Sequence, residues 1–400
     1  MASLLTLEEA QERVLARVQA LPAEPVAIAE AGGRVAVEDV RARIDLPPFP
    51  SSAMDGFAVR AADLPGTLRI AGESAAGSPY ATRLGSGAAV AISTGAVVPD
   101  GADAVVPIER VVKRANTVEI ADACEAGAHV RPRGGDVAAG DVVVPERARL
   151  TPARLAAAAA AGVAEVSCTR LPRVAVLATG SELVVPGGEL GPGAIYETNS
   201  LMLSAALAET GAEVGTEPPV ADDETALSEA LERGLAADVL VTSGGVSVGE
   251  HDLVRVAERE LGVEELFWRV SIKPGKPVSF GVRGSTLVFG LPGNPVSALV
   301  GCELFVKPAL RALQGLENPL PRYEPGRLSA ALRRNEERDE FVRARTHVDG
   351  DDALLVEPIV GQESHMIVRT GAADALVHIP RGNGELAAGS TVRWLRLGSA

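Results

Sequence analysis

Glu182, Asp222, Glu250 and Asp252 each stand at or just beyond the end of a short apolar run, and Lys273 and Lys276 share the turn Lys273-Pro274-Gly275-Lys276-Pro277. Carboxylates gathered in one place repel one another unless a cation sits among them, and a divalent metal ion is the simplest neutraliser. Taken singly, each could instead complement a helix dipole. The prolines stiffen the lysine turn and lower the entropy lost when the ammonium groups are held at an anion, although a solvated surface turn has the same composition. Together these groups fit chemistry on phosphate or a similar oxyanion.

Three glycine-rich turns each follow a short apolar run, and the first two carry Glu182, Glu250 and Asp252: Ala178-Thr179-Gly180-Ser181-Glu182, Ser243-Gly244-Gly245-Val246-Ser247-Val248-Gly249-Glu250-His251-Asp252, and Gly290-Leu291-Pro292-Gly293-Asn294-Pro295. The runs before them are uncharged and rich in Val, Leu and Thr, as strands buried on both faces of a parallel sheet must be. Helical sequence follows each turn. In open α/β sheets such turns collect at the carboxyl edge, where helix N-termini and free N–H groups favour anions. This makes Gly180, Ser181, Ser243, Gly244, Gly245, Ser247, Pro292, Gly293, Asn294 and Pro295 candidate ligand contacts. Such turns also hold glycine for steric reasons alone, and neither G-x-G-x-x-G nor G-x-x-x-x-G-K-[ST] occurs. A second reading is a serine hydrolase: Gly245-x-Ser247-x-Gly249 matches a nucleophile elbow, with His365 and His378 downstream as bases, but no His-Gly-Gly oxyanion motif accompanies it.

The chain has 400 residues and a formal net charge of −15. That length calls for several domains. The charge argues against non-specific binding to nucleic acid or anionic membranes. Cys124, Cys168 and Cys302 are widely spaced and suggest neither a zinc site nor a disulfide framework, which fits a cytoplasmic protein. The start lacks a signal-peptide pattern, and the longest uncharged stretch, residues 284–302, is broken by Pro292, Gly293 and Pro295.

The expected architecture is multidomain α/β with four parts. Residues 1–50 and 146–172 form a discontinuous N-terminal helical and linker domain. Its two helices, expected to belong together, are announced by the capping box Thr6-x-x-Glu9 and by Thr151-Pro152 ahead of an alanine run. Residues 51–145, rich in Gly, Pro and Val, form a mostly β insertion. A doubly wound α/β domain covers 173–316, with helices over 199–210 and 224–235, and a small β-barrel covers 317–400.

Ser51-Ser52-Ala53-Met54-Asp55-Gly56 is the oddest segment of the N-terminal half, although an Asp-Gly turn can simply nucleate a hairpin. Taken with Thr179 to Leu183, Tyr196-Glu197-Thr198-Asn199, Ser243 to Asp252, Lys273 to Pro277 and Gly290 to Pro295, it resembles the MoeA family of molybdopterin molybdenumtransferases, which includes the gephyrin E domain. The resemblance spans nearly the whole chain in order. It implies insertion of molybdate into adenylylated molybdopterin, with a divalent cation such as Mg²⁺ and release of AMP. It also implies Asp55, Thr94, Asp136, Glu182, Asp222, Asp252, Lys273, Arg343 and Ser364 as functional positions. Of these, Glu182, Asp222 and Asp252 would lie near the metal, and Lys273, Lys276 and Arg343 would hold anionic oxygens. The family further implies a homodimer in which Asp55 and Asp136 reach a neighbouring subunit's site. Contacts with a molybdopterin adenylyltransferase and with acceptor molybdoenzymes are implied as well. A non-catalytic, gephyrin-like partner-binding scaffold is the alternative within the same fold. Arg269 departs from the pattern, standing where some relatives carry lysine, as does Phe57 where tyrosine is common.

Overall fold

The computed structural model describes residues 4–245, 253–348, 350 and 352–398. The chain divides into two compact units, residues 25–168 and residues 1–24 with 169–400.

In the second of these, the short apolar runs become a six-stranded sheet. Its strands are β1 (Arg173–Ala178), β2 (Glu213–Thr216), β3 (Val239–Ser243), β4 (Glu264–Trp268), β5 (Ser279–Arg283) and β6 (Thr286–Leu291), in the order β2-β1-β3-β6-β5-β4. The first four in that order are parallel, β5 runs antiparallel to them, and β4, antiparallel to β5, runs with the first four again. Period-two alternation sends successive residues of β3 to opposite faces. Val239 and Val241 join one core with Leu203, Leu207 and Phe289, while Leu240 joins another with Leu227, Leu231 and Val254. The helices covering the sheet are α2 (Asn199–Ala208), α3 (Glu224–Gly234), α4 (Leu253–Glu260) and α5 (Pro295–Gly301).

Helix α1 (Leu7–Leu15) has the expected capping box, with Glu9 N–H donating to Thr6 Oγ1 and Thr6 N–H to the Glu9 carboxylate. Its placement corrects the sequence reading. Leu7, Ala10 and Val14 pack in the core of the α/β sheet, whereas the alanine helix Pro152–Ala160 packs with Val26, Val144 and Val166 in the other unit. Periodicity announces a buried face but not what covers it.

Past α5 the helix widens into a π-turn, Cys302–Val306, before α6 (Lys307–Leu313). The Leu304 carbonyl, whose i+4 residue Pro308 has no N–H to donate, accepts a hydrogen bond from Gln11 Nε2 of α1 at 2.9 Å. Lys307, 4 % exposed, lies 2.6 Å from Glu303 and 3.0 Å from Glu209 just past the end of α2. Burial pulls the Lys307 pKa down, but Glu303 outweighs it through charge and hydrogen bond and holds it above the ordinary lysine value.

The last part is a closed barrel of β7 (Glu324–Leu328), β8 (Asp339–Val348), β9 (Leu354–Pro358), β10 (Ala375–Ile379) and β11 (Thr391–Arg396). Pairings run β7-β9-β8-β10-β11 and back to β7. Strand β7, with the turn-like sequence Glu-Pro-Gly-Arg-Leu, was invisible to patterning. Gly326 is needed there because a Cβ would lie 2.5 Å from Val356 and 3.1 Å from the fully buried Trp394.

At the base of the sheet the Asp238 carboxylate accepts from Arg170 Nη1 and Nη2 at 2.7 and 2.5 Å and from Arg173 N–H. Burial pushes its pKa up, but Arg170 and the Arg173 amide overcome this and hold it below the usual carboxylate value. A depressed pKa contributes stability above the unfolded value of about 3.9 that is lost as pH falls through the lower folded value. Asp238→Asn should therefore lower stability by about 1–3 kcal/mol at pH 7 and flatten the acid limb of the Tm-versus-pH curve.

The unit spanning residues 25–168 holds the expected β-rich insertion. A six-stranded sheet orders Ala104–Pro107, Gly56–Val59, Ala88–Ile92, Gly66–Ser74, Thr117–Ile120 and Val112–Lys113. Phe57, 2 % exposed, belongs to its core with Leu68 and Val118, a place where a hydroxyl would need a partner.

Candidate functional site

The chain crosses from β1 through α2 to β2 on one side, then through α3 to β3 on the other. The order therefore reverses between β1 and β3, the place where open α/β sheets hold their ligands. At that edge Thr179 N–H donates to the Ser243 carbonyl at 2.9 Å, Gly180 N–H to Val220 at 3.0 Å, and Gly244 N–H to Leu291 at 3.1 Å. Asn199, 7 % exposed, ties two turns together, with Nδ2 donating to Ser243 Oγ and to the Gly293 carbonyl, both at 2.8 Å. The three predicted turns thus form one cluster. The sequence reading named the Tyr196 to Asn199 segment but missed Asn199's role, because the bridge exists only once strands 44 and 94 residues away are assembled.

Ser181 and Asp222 are joined reciprocally: Ser181 N–H donates to Asp222 Oδ2 at 3.2 Å, and Asp222 N–H to Ser181 Oγ at 3.0 Å. Glu182 follows directly, exposed, its carboxylate beside the Cα of Gly180. Asp222, from the segment after β2, is therefore tied to the turn that carries Glu182, which brings together two of the three expected metal ligands. Ser247 and Asp252 lie outside the described residues, and among the described residues no group of three His, Cys, Asp or Glu could hold a metal ion. Two carboxylates with substrate oxygens still fit Mg²⁺, which is usually bound by one or two carboxylates plus phosphate and water.

The lysine turn lies near α5, where a Cβ on Gly275 would be 3.6 Å from the Ser297 carbonyl. Lys276 is exposed. Lys273 Nζ is held by Glu340 Oε1 of β8 at 2.6 Å, a partner the sequence reading did not anticipate. Asn294 is the N-cap residue of α5 and Pro295 its first residue, but Asn294 makes no side-chain cap. The next amide, Val296 N–H, donates to the Ser364 carbonyl at 3.1 Å, bringing the barrel loop to the helix start.

Arg343 is where the expectation needs correction. It is fully buried in β8, and its guanidinium donates to the carbonyls of Met366, Gly361 and Glu363 and to Thr370 Oγ1, while its own N–H donates to Gln362 Oε1. Burial lowers its pKa, with Glu363 opposing. Committed to these acceptors, it shapes the loop that presents Ser364 instead of holding a substrate anion itself. Arg343→Lys should lower stability by about 2 kcal/mol by leaving carbonyls unpaired. The same variant should raise KM more than it lowers kcat, as steady-state kinetics will report.

In the other unit, Thr94 N–H donates to Asp55 Oδ1 at 2.7 Å, so two of its three predicted residues meet. Asp136 is exposed, and its N–H donates to the Leu46 carbonyl. Arg269, at φ +85°, and Arg255 lie over the Trp268 ring at 3.7 and 4.1 Å, which gives Arg269 a stacking role. Of the two proposed hydrolase bases, His378 is 4 % exposed, stacked on Phe341 and 3.5 Å from Asp339 inside the barrel. No helix among the described residues is long and apolar enough to cross a membrane.

Three family models match in order: the MoeA N-terminal region (domain I and II) over residues 5–162, a probable molybdopterin binding domain over 175–312, and the MoeA C-terminal region (domain IV) over 325–397. The molybdopterin molybdenumtransferase of Haemophilus influenzae is 36 % identical, covering 97 % of this chain and 98 % of its own. Molybdopterin molybdenumtransferase 2 of Mycobacterium tuberculosis is 37 % identical with the same coverage. Among solved structures, a molybdopterin biosynthesis MoeA protein from Pyrococcus horikoshii superposes with a TM-score of 0.85 at 29 % identity, over 99 % of this chain and 100 % of that one. With curated relatives above 30 % identity over nearly its full length, and with three consecutive family models matched in order, this chain belongs to the MoeA family of molybdopterin molybdenumtransferases.

Proposed function

We propose that the protein completes molybdenum cofactor biosynthesis by inserting molybdate into adenylylated molybdopterin with release of AMP. The observation that carries this reading is the reciprocal Ser181–Asp222 pair beside Glu182, which sets two carboxylates against a turn whose N–H groups sit at the sheet's switch point. Glu182 and Asp222, with Asp252, would hold a divalent ion such as Mg²⁺, which when bound neutralises pyrophosphate charge and polarises its oxygens. Lys276 places a cation for phosphate or molybdate oxygens, and Lys273 joins it by exchanging Glu340 for the substrate anion. Asn199 keeps the second and third turns in register, so the donors need no rearrangement as charge moves to the leaving AMP. The transfer calls for no protein nucleophile.

The reading includes a cytoplasmic homodimer that receives its nucleotide substrate from a molybdopterin adenylyltransferase and passes the cofactor to acceptor molybdoenzymes. Asp55, Thr94 and Asp136 would complete the site of the partner subunit. Mixing Asp55→Asn and Glu182→Gln variants should then restore part of the activity through heterodimers carrying one intact site. Continued inactivity after verified subunit exchange would place both residues in one chain's site.

The central test incubates the purified protein with adenylylated molybdopterin, molybdate and Mg²⁺, then measures AMP and the ability of the product to reconstitute an apo-molybdoenzyme. A scaffold gives neither product, and that result would sink the reading. Stoichiometric fluorophosphonate labelling at Ser247 would instead favour a hydrolase.

A further inference from the structure

A cleft of about 490 Å³ opens beside the site, between the start of α2 and the segment that follows β2, with Val185, Glu197, Ser200, Ser204, Thr216 and Pro219 in its wall. The segment continues to Val220, which receives the Gly180 N–H, and to Asp222, so the cleft and the acidic turn share one stretch of chain. Its volume suits a two-ring ligand.

The wall has an unmet hydrogen-bonding demand. Glu197 is 8 % exposed, and among the described residues its carboxylate accepts a single bond, from Ser200 N–H at 2.8 Å. A carboxylate offers about four lone-pair sites, so its acceptor capacity is mostly unused. The Ser200 and Ser204 hydroxyls are buried and have no protein partner, and Ser200 is 7 % exposed. Buried polar groups left unpaired are costly, and each calls for an explanation. An acceptor-only carboxylate beside two adaptable hydroxyls, between the apolar faces of Val185 and Pro219, matches a flat heterocycle that presents adjacent N–H donors.

We propose that this cleft holds the pyrimidine edge of the substrate's pterin, with the ring N3–H and the 2-amino group donating to Glu197 and the serine hydroxyls meeting the remaining polar atoms. The assignment rests on the transferase reading, since it takes the substrate to be a pterin nucleotide whose phosphates occupy the adjoining turns. A 2-amino-4-oxopyrimidine edge is also present in guanine, so the shared chemistry is that of a cyclic guanidine. Adenine, which lacks this donor pair, is the poorer match and is left to the outer part of the site.

The test uses the full chain and three probes: 6-hydroxymethylpterin, its 2-oxo counterpart 6-hydroxymethyllumazine, and GMP. Fluorescence titration should show the parent preferring the pterin to the lumazine by about tenfold or more, with Glu197→Gln erasing that preference. Ser204→Val, which narrows the cleft without touching the carboxylate, should weaken pterin binding while melting stays near that of the parent, covering the case in which Glu197→Gln fails to fold. Equal binding of pterin and lumazine to the parent, or an unchanged preference in Glu197→Gln, overturns the assignment, as does tighter binding of GMP than of pterin. A protein that releases AMP and builds cofactor but shows no Glu197-dependent preference refutes the cleft and leaves the transferase reading standing. Glu197-dependent pterin binding without AMP release does the reverse.

Discussion

Gly244→Ala is expected to slow molybdenum transfer by roughly 10²-fold and to lower the Tm of the α/β unit. Gly244 has φ +101°, a conformation L side chains rarely adopt, and an added Cβ would press into the Thr179 carbonyl oxygen and lie 2.9 Å from Thr179 Oγ1. Left-handed backbone in a non-glycine residue costs about 1–2 kcal/mol, and forced repacking about 1–3 kcal/mol more. Relief would come from pushing the β3 turn off the β1 turn, and displacement of reacting groups by about 1 Å can cost roughly 10²-fold in rate. Thermal melting and AMP release on the same preparation check both parts. A variant with parental turnover would show that the contact between the two turns does not position the reacting groups.

The second large effect is confined to rate. Asp222→Asn keeps the side chain's size, and its amide oxygen can still accept the Ser181 N–H, so an exposed turn should retain its shape and stability within about 0.5 kcal/mol. What disappears is a negative charge beside the proposed divalent ion. Turnover should fall roughly 10²- to 10³-fold, the range found when a preorganised electrostatic contact is removed, and more Mg²⁺ should be needed for half-maximal rate. Glu182→Gln should behave alike. If AMP release against Mg²⁺ concentration gives the same curve for parent and both variants, the two carboxylates serve the helix and turn only.

Much of the α/β core was legible because its constraints are local. A run such as Val239-Leu240-Val241-Thr242 is apolar on both faces, and the turn after it needs glycine where φ is positive, so strand, turn and edge could be read in sequence order. Arg343 was misread for the opposite reason. Its anion-holding role came from the family resemblance, and only the return of residues 361–370 over β8 supplies the carbonyls that bury it. Lys273 stands out in sequence on its stiff Pro-Gly turn, but its partner Glu340 comes from the parallel pairing of Ile272–Lys273 with β8, a register no composition reveals. Glu197 belongs to a named motif, yet its unused acceptor capacity follows from burial and could be seen only in three dimensions.

The π-turn at Cys302–Val306 carries a consequence for how this helix tolerates change. A wider turn is one residue more than an ordinary helix needs, so deleting a residue there should yield a regular α-helix with better local propensity. Deleting a residue from α5 itself, where the helix has no such slack, would instead rotate everything downstream by about 100°. Lys307 would then swing away from Glu209, the hinge-pin between the far ends of the two helices that begin at Asn199 and Pro295. A shortening that looks harmless on the scale of one helix would misalign, some twenty ångströms of chain away by the ~1.5 Å rise per residue, the turns those helices hold in place.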